Sequence, residues 1–131
     1  MTVTIGISEM RVSDNPSETL VTYSLGSCVG LTLYDPAVRV GGLIHCMLPV
    51  SKIDADKAKA NPCMFTDTGV PALIQAVLGL GARKANLVAK VAGAAQLLDE
   101  KGTFKIGERN YTVLRKVLWK NNILIAAEDV G

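Results

Sequence analysis

The two side chains with the most chemical potential in this chain are a thiol and an imidazole seventeen residues apart. Cys28 follows Leu25-Gly26-Ser27, and His45 is the only histidine. A cysteine attacks as its thiolate, and an imidazole within hydrogen-bond reach can take its proton and later deliver it to a leaving group. That pairing defines nucleophilic cysteine chemistry. Whether it forms depends on the elements that carry the two residues.

Val29, Leu31 and Leu33 alternate with Gly30, Thr32 and Tyr34, the period of a half-buried strand. Val40 to Leu48 reads as a second strand, joined to the first by a short hairpin-like connection from Asp35-Pro36 to Arg39. Antiparallel pairing of the two returns His45 to the side of Cys28. The Gly26-Ser27 bend would hold Cys28 at the lip of its strand, with its backbone N–H free. The residues by themselves also fit a blander arrangement. Free cysteine is among the most buried residue types, and a lone histidine on an apolar strand is commonly a hydrogen-bonded core residue.

Around this pair, Val3, Ile5 and Ile7 predict an opening strand that ends at the turn cluster Ser13-Asp14-Asn15-Pro16. Glu18 to Ser24 reads as extended, with Thr22 pointing away from Tyr23. Ser51 to Phe65 is polar and reads as a mobile surface excursion with one helical turn. Thr66 or Asp67 is the expected cap of a helix carrying Val70, Leu73, Ile74, Val77 and Leu78, stopped by Gly79 and Gly81. Asn86 to Val91 reads as a strand and Leu97-Leu98 as a short segment ended by Lys101-Gly102. Glu108 to Lys120 has the stripe of an amphipathic helix, with Tyr111, Leu114 and Leu118 inward and Arg109, Lys116 and Lys120 outward. Ile123 to Ala127 closes the chain as a buried strand. Strands cluster early and alternate with helices later, which predicts an α+β fold of mixed sheet layers flanked by helices.

With 131 residues, all of residues 1–131 read as one domain with a hydrophobic core. A formal charge of +2, without blocks of basic and aromatic residues, argues against nucleic acid as a partner. Three cysteines make no paired framework and suit a reducing compartment. No segment has the apolar length to insert in a membrane and the N-terminus lacks a leader pattern, so the expectation is a cytoplasmic protein.

Four segments together resemble the CheD family of bacterial and archaeal chemoreceptor glutamine deamidases: Leu25-Gly26-Ser27-Cys28, Leu33-Tyr34-Asp35-Pro36, His45 with Met47-Leu48-Pro49, and Ile106-Gly107-Glu108-Arg109-Asn110. The resemblance runs in order along nearly the whole chain. It implies a mixed β-sandwich flanked by helices, similar to deamidating bacterial toxins, with Cys28, His45 and Thr22 as catalytic residues and no cofactor. It further implies chemoreceptor cytoplasmic helices as substrate and a CheC-type phosphatase as partner. Family members usually continue beyond the position of Gly131, so the C-terminal strands are expected to be short or absent here. A glutamine carboxamide is a poor electrophile, so its hydrolysis needs a strong nucleophile, a proton donor to ammonia and a stabilised oxyanion. His45 as imidazolium would lower the Cys28 pKa, Thr22 would orient His45, and the backbone around Gly26, Ser27 and Cys28 would bind the oxyanion or substrate.

Three other readings compete with this one. A structural zinc module could use Cys28, His45, Cys46 and Cys63, but adjacent strand residues such as His45 and Cys46 point to opposite faces. A non-catalytic adaptor that only binds CheC would not need the intact Thr22, Cys28 and His45. A papain-like protease would use the same nucleophile and differ in substrate. Cys46 is expected in the core and Cys63 in the polar loop without a role; Ile106-Gly107-Glu108-Arg109-Asn110 reads as a helix start with Glu108 near its positive end, or as a segment holding the site from outside.

Overall fold

The computed structural model describes residues 1–95 and 105–131. The central element is a five-stranded mixed sheet in the order β2-β5-β4-β6-β7, built from Glu9–Ser13, Val40–Cys46, Val29–Asp35, Val88–Gly93 and Ile125–Val130. Only β6 and β7 run parallel; the other neighbours are antiparallel. A second sheet pairs β1 (Thr2–Ile5) with β3 (Thr19–Thr22) in parallel. The α-helices among the described residues are α1 (Ala55–Ala60), α2 (Thr66–Gly79) and α3 (Ile106–Lys120). The α+β class read from the sequence is the one observed.

The pleat divides β5 between two layers. Gly42, Ile44 and Cys46 face α2, where a Cβ on Gly42 would lie 2.8 Å from Leu73 and one on Gly69 would lie 2.9 Å from Ile44 and 3.0 Å from the Cys46 sulfur. Glycine at both positions lets helix and strand approach closely. Leu31 and Leu33 on β4 pair with Ile44 and Gly42 and join Val70, Leu73, Ile74 and Val77 in the core. His45 points to the opposite face, beneath the small β1–β3 sheet.

Several elements differ from the sequence reading. The opening strand is split in two: Ser8 adopts φ 62° and the Gly6 N–H bonds the Glu9 carboxylate at 2.7 Å, which turns the chain and leaves Ile7 exposed. The 51–65 segment holds two 3-10 turns and α1 rather than one helical turn. It is pinned by Asn61, whose amide donates to the Ser8 carbonyl at 3.0 Å. Helix α2 starts at Thr66, but neither expected residue caps it. Phe65 occupies that position, and Asp67 instead accepts from the Ser51 N–H and hydroxyl at 2.8 and 2.9 Å. Strand β6 starts at Val88 because Lys84–Asn86 forms a 3-10 turn. The last strand is not buried: Ile123 is, but β7 is an edge strand exposed from Ala126 to Asp129. The Leu97-Leu98 and Lys101-Gly102 readings lie outside the described residues.

Asp35 ends β4 fully buried, accepting from the backbone N–H of Arg83 at 2.8 Å and of Ala37 at 2.9 Å. These bonds, the Arg83 one foremost, hold its carboxyl below the usual range. A depressed carboxyl contributes stability that is complete above its unfolded value of about 3.9 and is lost as pH falls through the folded value. Asp35→Ala is expected to lower the melting temperature at pH 7 and to flatten its decline below pH 4. An unchanged acid decline in that variant would contradict this assignment. Leu31→Ala, in the middle of β4, is expected to cost about 2–5 kcal/mol in denaturant unfolding.

Candidate active site

His45 sits near the end of β5, with Gly30 of β4 and Glu9 of β2 as its direct cross-strand neighbours. Cys28 immediately precedes β4, two residues before Gly30, so thiol and imidazole occupy diagonal positions across the strand pair, within the range over which side chains of a sheet interact. Gly30 makes room for Leu25, since a Cβ there would lie 3.0 Å from Leu25 Cδ1. The sequence expectation that the hairpin returns His45 to the side of Cys28 is met at the level of register. A Cys28–His45 hydrogen bond is not formed, because the buried Nε2 of His45 has no partner.

Thr22, at the end of β3, comes down on the other ring nitrogen. Its hydroxyl donates to the Ile5 carbonyl at 2.7 Å and lies 2.8 Å from His45 Nδ1. A hydroxyl has one proton, and a carbonyl can only accept. The Thr22 oxygen is therefore the acceptor for a proton on Nδ1, and Nε2 carries the basic lone pair. Burial pushes the His45 pKa below its usual value, so the ring is neutral near pH 7.

The loop before Cys28 is held by its carbonyls. Gly26 O accepts from the Ala95 N–H at 2.8 Å, Ser27 O from the Asn110 side-chain amide at 2.9 Å, and Cys28 O from the Ala94 N–H at 2.7 Å. In a planar trans peptide the C=O and the following N–H point in opposite directions. With these carbonyls drawn into the protein, the N–H groups of Ser27 and Cys28 are turned the other way. Among the described residues neither has an acceptor on a neighbouring residue. Gly26 differs, since its N–H is bonded to Ser24 O at 3.2 Å; it shapes the loop and offers no free donor. Ser24 at φ 62° and Ala94 at φ 55° hold left-handed conformations on either side of the loop.

Burial pushes the Cys28 thiol up from its ordinary value, only partly offset by its own backbone N–H. Desolvation thus acts against both charges of the expected thiolate–imidazolium pair, raising the thiol and lowering the imidazole. Cys46 is buried on the α2 side and its thiol is pushed far up by burial. Cys63 is half-buried and packs against the core. Among the described residues no three His, Cys, Asp or Glu side chains gather as metal ligands. Among the described residues no helix is long and apolar enough to cross a membrane.

Asn110 belongs to the Ile106-Gly107-Glu108-Arg109-Asn110 segment, read from the sequence first as a helix start and second as a support of the site from outside. It is fully buried, and its amide nitrogen donates to Ser27 O and, at 3.1 Å, to Met47 O. The Thr66 hydroxyl lies 3.1 Å from its Oδ1. The signal was its position: residues 110, 114 and 118 share one helix face with the buried Leu114 and Leu118. An amide on an apolar stripe must find partners there.

A groove between α3 and β7, lined by Tyr111, Arg115, Trp119 and Leu124, and a hollow beside Glu18, Tyr34 and Arg39 contain none of Thr22, Cys28 and His45. The half-exposed Cys28 lies on the surface rather than in either concavity.

This is an α+β protein with a cysteine, a histidine and a threonine brought to one place by two adjoining sheets. The family model described as "CheD chemotactic sensory transduction" matches residues 47–131. Over 129 residues the chain is 53% identical to a Syntrophus aciditrophicus protein named "Probable chemoreceptor glutamine deamidase CheD 1", covering 98% of this chain and 81% of that one. A Solibacter usitatus relative with the name "Probable chemoreceptor glutamine deamidase CheD" is 48% identical over 98% of this chain and 76% of its own. The chain belongs to the CheD family. Its fold is also similar to the crystal structure of the Bacillus licheniformis hypothetical protein YfiH, with a TM-score of 0.56 at 18% identity, over 93% of this chain and 49% of that one.

Gly93 tests the loop anchoring directly. Its φ is 91°, and an added Cβ would lie 2.5 Å from the Cys28 carbonyl oxygen. Gly93→Ala is expected to lower the melting temperature and to change the iodoacetamide reactivity of Cys28; a variant matching the parent in both would show that this contact does not hold the loop.

Proposed function

We propose that this chain is a chemoreceptor glutamine deamidase, hydrolysing side-chain amides of glutamines in receptor cytoplasmic helices to glutamate and ammonia. Family membership supports the substrate class. The observation that carries the mechanism is the 2.8 Å contact between Thr22 Oγ1 and His45 Nδ1, which leaves the basic Nε2 unpartnered at the position diagonal to Cys28. Nε2 takes the thiol proton as Sγ attacks the carboxamide carbon, so the charges arise together with the oxyanion. The Ser27 and Cys28 N–H groups receive that oxyanion. The imidazolium then protonates the departing nitrogen, and the C–N bond breaks to release ammonia. Neutral His45 next takes a proton from water, whose oxygen attacks the thioester; glutamate forms and the proton returns to sulfur. The partner that family membership suggests, a CheC-type phosphatase, belongs to this same reading.

Mass spectrometry of a purified receptor cytoplasmic fragment after incubation tests the reaction. A gain of about one dalton at a glutamine is expected, since NH₂ is exchanged for OH. Cys28→Ala should fold and leave the fragment unmodified. Full activity in that variant would overturn the mechanism, and cleavage of the fragment instead of a mass gain would turn the reading to a protease.

The pH dependence follows from the two shifts. The working base is neutral His45, whose pKa lies below the usual value of about 6.5, so kcat/KM should be more than half-maximal at pH 6.5 and fall only at lower pH. Because the thiol is shifted upward, iodoacetamide alkylation of Cys28 should keep accelerating beyond the ordinary thiol value of about 8.5. A plateau already reached at pH 6 would restore the ion-pair picture.

A further inference from the structure

We infer that Asn110, oriented by Thr66, is a positioning residue that sets the oxyanion hole by fixing the Ser27–Cys28 peptide plane. The inference rests on the cysteine-hydrolase reading above and extends it to a helix outside the Thr22, Cys28 and His45 set.

The Asn110 side chain reaches both segments of the site at once. One amide hydrogen goes to Ser27 O at 2.9 Å and the other to Met47 O at 3.1 Å, two residues beyond His45. Its orientation is determined by these partners: a flipped amide would set its oxygen against two carbonyl oxygens. Oδ1 then faces the Thr66 hydroxyl at 3.1 Å, and that hydroxyl also lies 3.2 Å from Leu48 O. Every hydrogen-bonding atom of a fully buried amide is thus satisfied, the condition under which a buried polar group specifies one arrangement.

Packing does not require an amide here. The rest of the buried α3 stripe is Gly107, Leu114 and Leu118, and an aliphatic side chain would serve a structural helix with less desolvation. What the amide adds is direction. The Ser27 carbonyl and the Cys28 N–H belong to one planar unit, so pulling the carbonyl toward α3 turns the N–H away from it. That N–H is left without an acceptor on any other described residue, which is the state an oxyanion donor needs before substrate arrives. Gly107 brings α3 close enough to do this, since a Cβ there would collide with the Ala95 carbonyl and lie 2.7 Å from the Ala94 carbonyl oxygen.

The test compares two reactions at the same sulfur in the full chain. Iodoacetamide alkylates Cys28 without forming an oxyanion, whereas a peptide carrying glutamate semialdehyde adds to the thiol as a hemithioacetal whose oxygen occupies the oxyanion position. Asn110→Ala is expected to weaken aldehyde binding at least tenfold, to leave the alkylation rate within twofold, and to lower deamidation kcat by about 10²-fold with little change in KM. Asn110→Asp is nearly isosteric but presents a carboxylate to two carbonyl oxygens. Its activity relative to the parent should recover as pH falls and the new carboxyl gains a proton to donate, a dependence that Asn110→Ala lacks. Thr66→Ser should retain activity and Thr66→Val should lose part of it. Unchanged aldehyde affinity in a folded Asn110→Ala protein, or equal losses in aldehyde binding and alkylation, would overturn the inference. If Asn110→Ala does not fold, a pH-independent ratio for Asn110→Asp overturns it instead. Absence of deamidation by the parent protein would remove the functional reading, while the aldehyde and alkylation pair would still decide the role of Asn110.

Discussion

Burying an imidazole inside a sheet imposes a demand on everything around it, because each ring nitrogen must be either partnered or kept free for a purpose. His45 is fully buried on the face of β5 turned away from the helices, and its Nδ1 is partnered only because a second, two-stranded sheet lies over that face. The parallel pairing of β1 with β3 brings Ile5 and Thr22 into register, so a single hydroxyl donates to the Ile5 carbonyl and accepts from the ring. Removing the small sheet would leave the histidine without a defined tautomer. The β1–β3 sheet thus supports one ring nitrogen and leaves the other, Nε2, without a partner.

Much of this was legible in the sequence because it depended on local pattern. The β4–β5 hairpin followed from period-two alternation around Asp35-Pro36, and its register put Cys28 and His45 near each other. The core stripes of α2 and α3 followed from helical spacing. What was not legible depended on long-range partners. Nothing in Val3-Thr4-Ile5-Gly6-Ile7 shows that the chain turns at Ser8, because the turn is completed by the Glu9 carboxylate and by a bond from Ser8 N–H to the His45 carbonyl at 2.8 Å. The Asp67 cap failed for a similar reason: Ser51, sixteen residues away, competes for the same carboxylate. Ile123 to Ala127 looked buried because it is apolar, yet an edge strand pairs on one side only and its composition does not reveal that.

The polar residues that sequence patterning handles least well are the ones that tie the loops together. Asp35 joins the end of β4 to Arg83, Asn61 joins the 51–65 segment to Ser8, and Asn110 joins α3 to both Ser27 and Met47. Asp35 and Asn110 are fully buried, and the desolvation this costs is offset only by their specific hydrogen bonds. A buried polar side chain on an otherwise apolar stripe is thus the most useful sequence sign of where distant segments converge. Asn110 carries that sign in α3, aligned with Leu114 and Leu118.

The charge state of the site follows from the same burial that holds it together. An ion pair between thiolate and imidazolium would require two desolvated charges at rest, and the environment raises the thiol while lowering the imidazole. In the mechanism proposed above, a neutral pair avoids that cost and would develop charge only with an electrophile in place, when the Ser27 and Cys28 N–H groups would meet the oxyanion. Preorganised donors then stabilise the transition state more than the ground state, which is the condition for raising kcat rather than merely tightening binding. Selectivity in such a site comes from the coincidence of a positioned carboxamide, a basic Nε2 and oriented peptide planes, rather than from an activated cysteine alone.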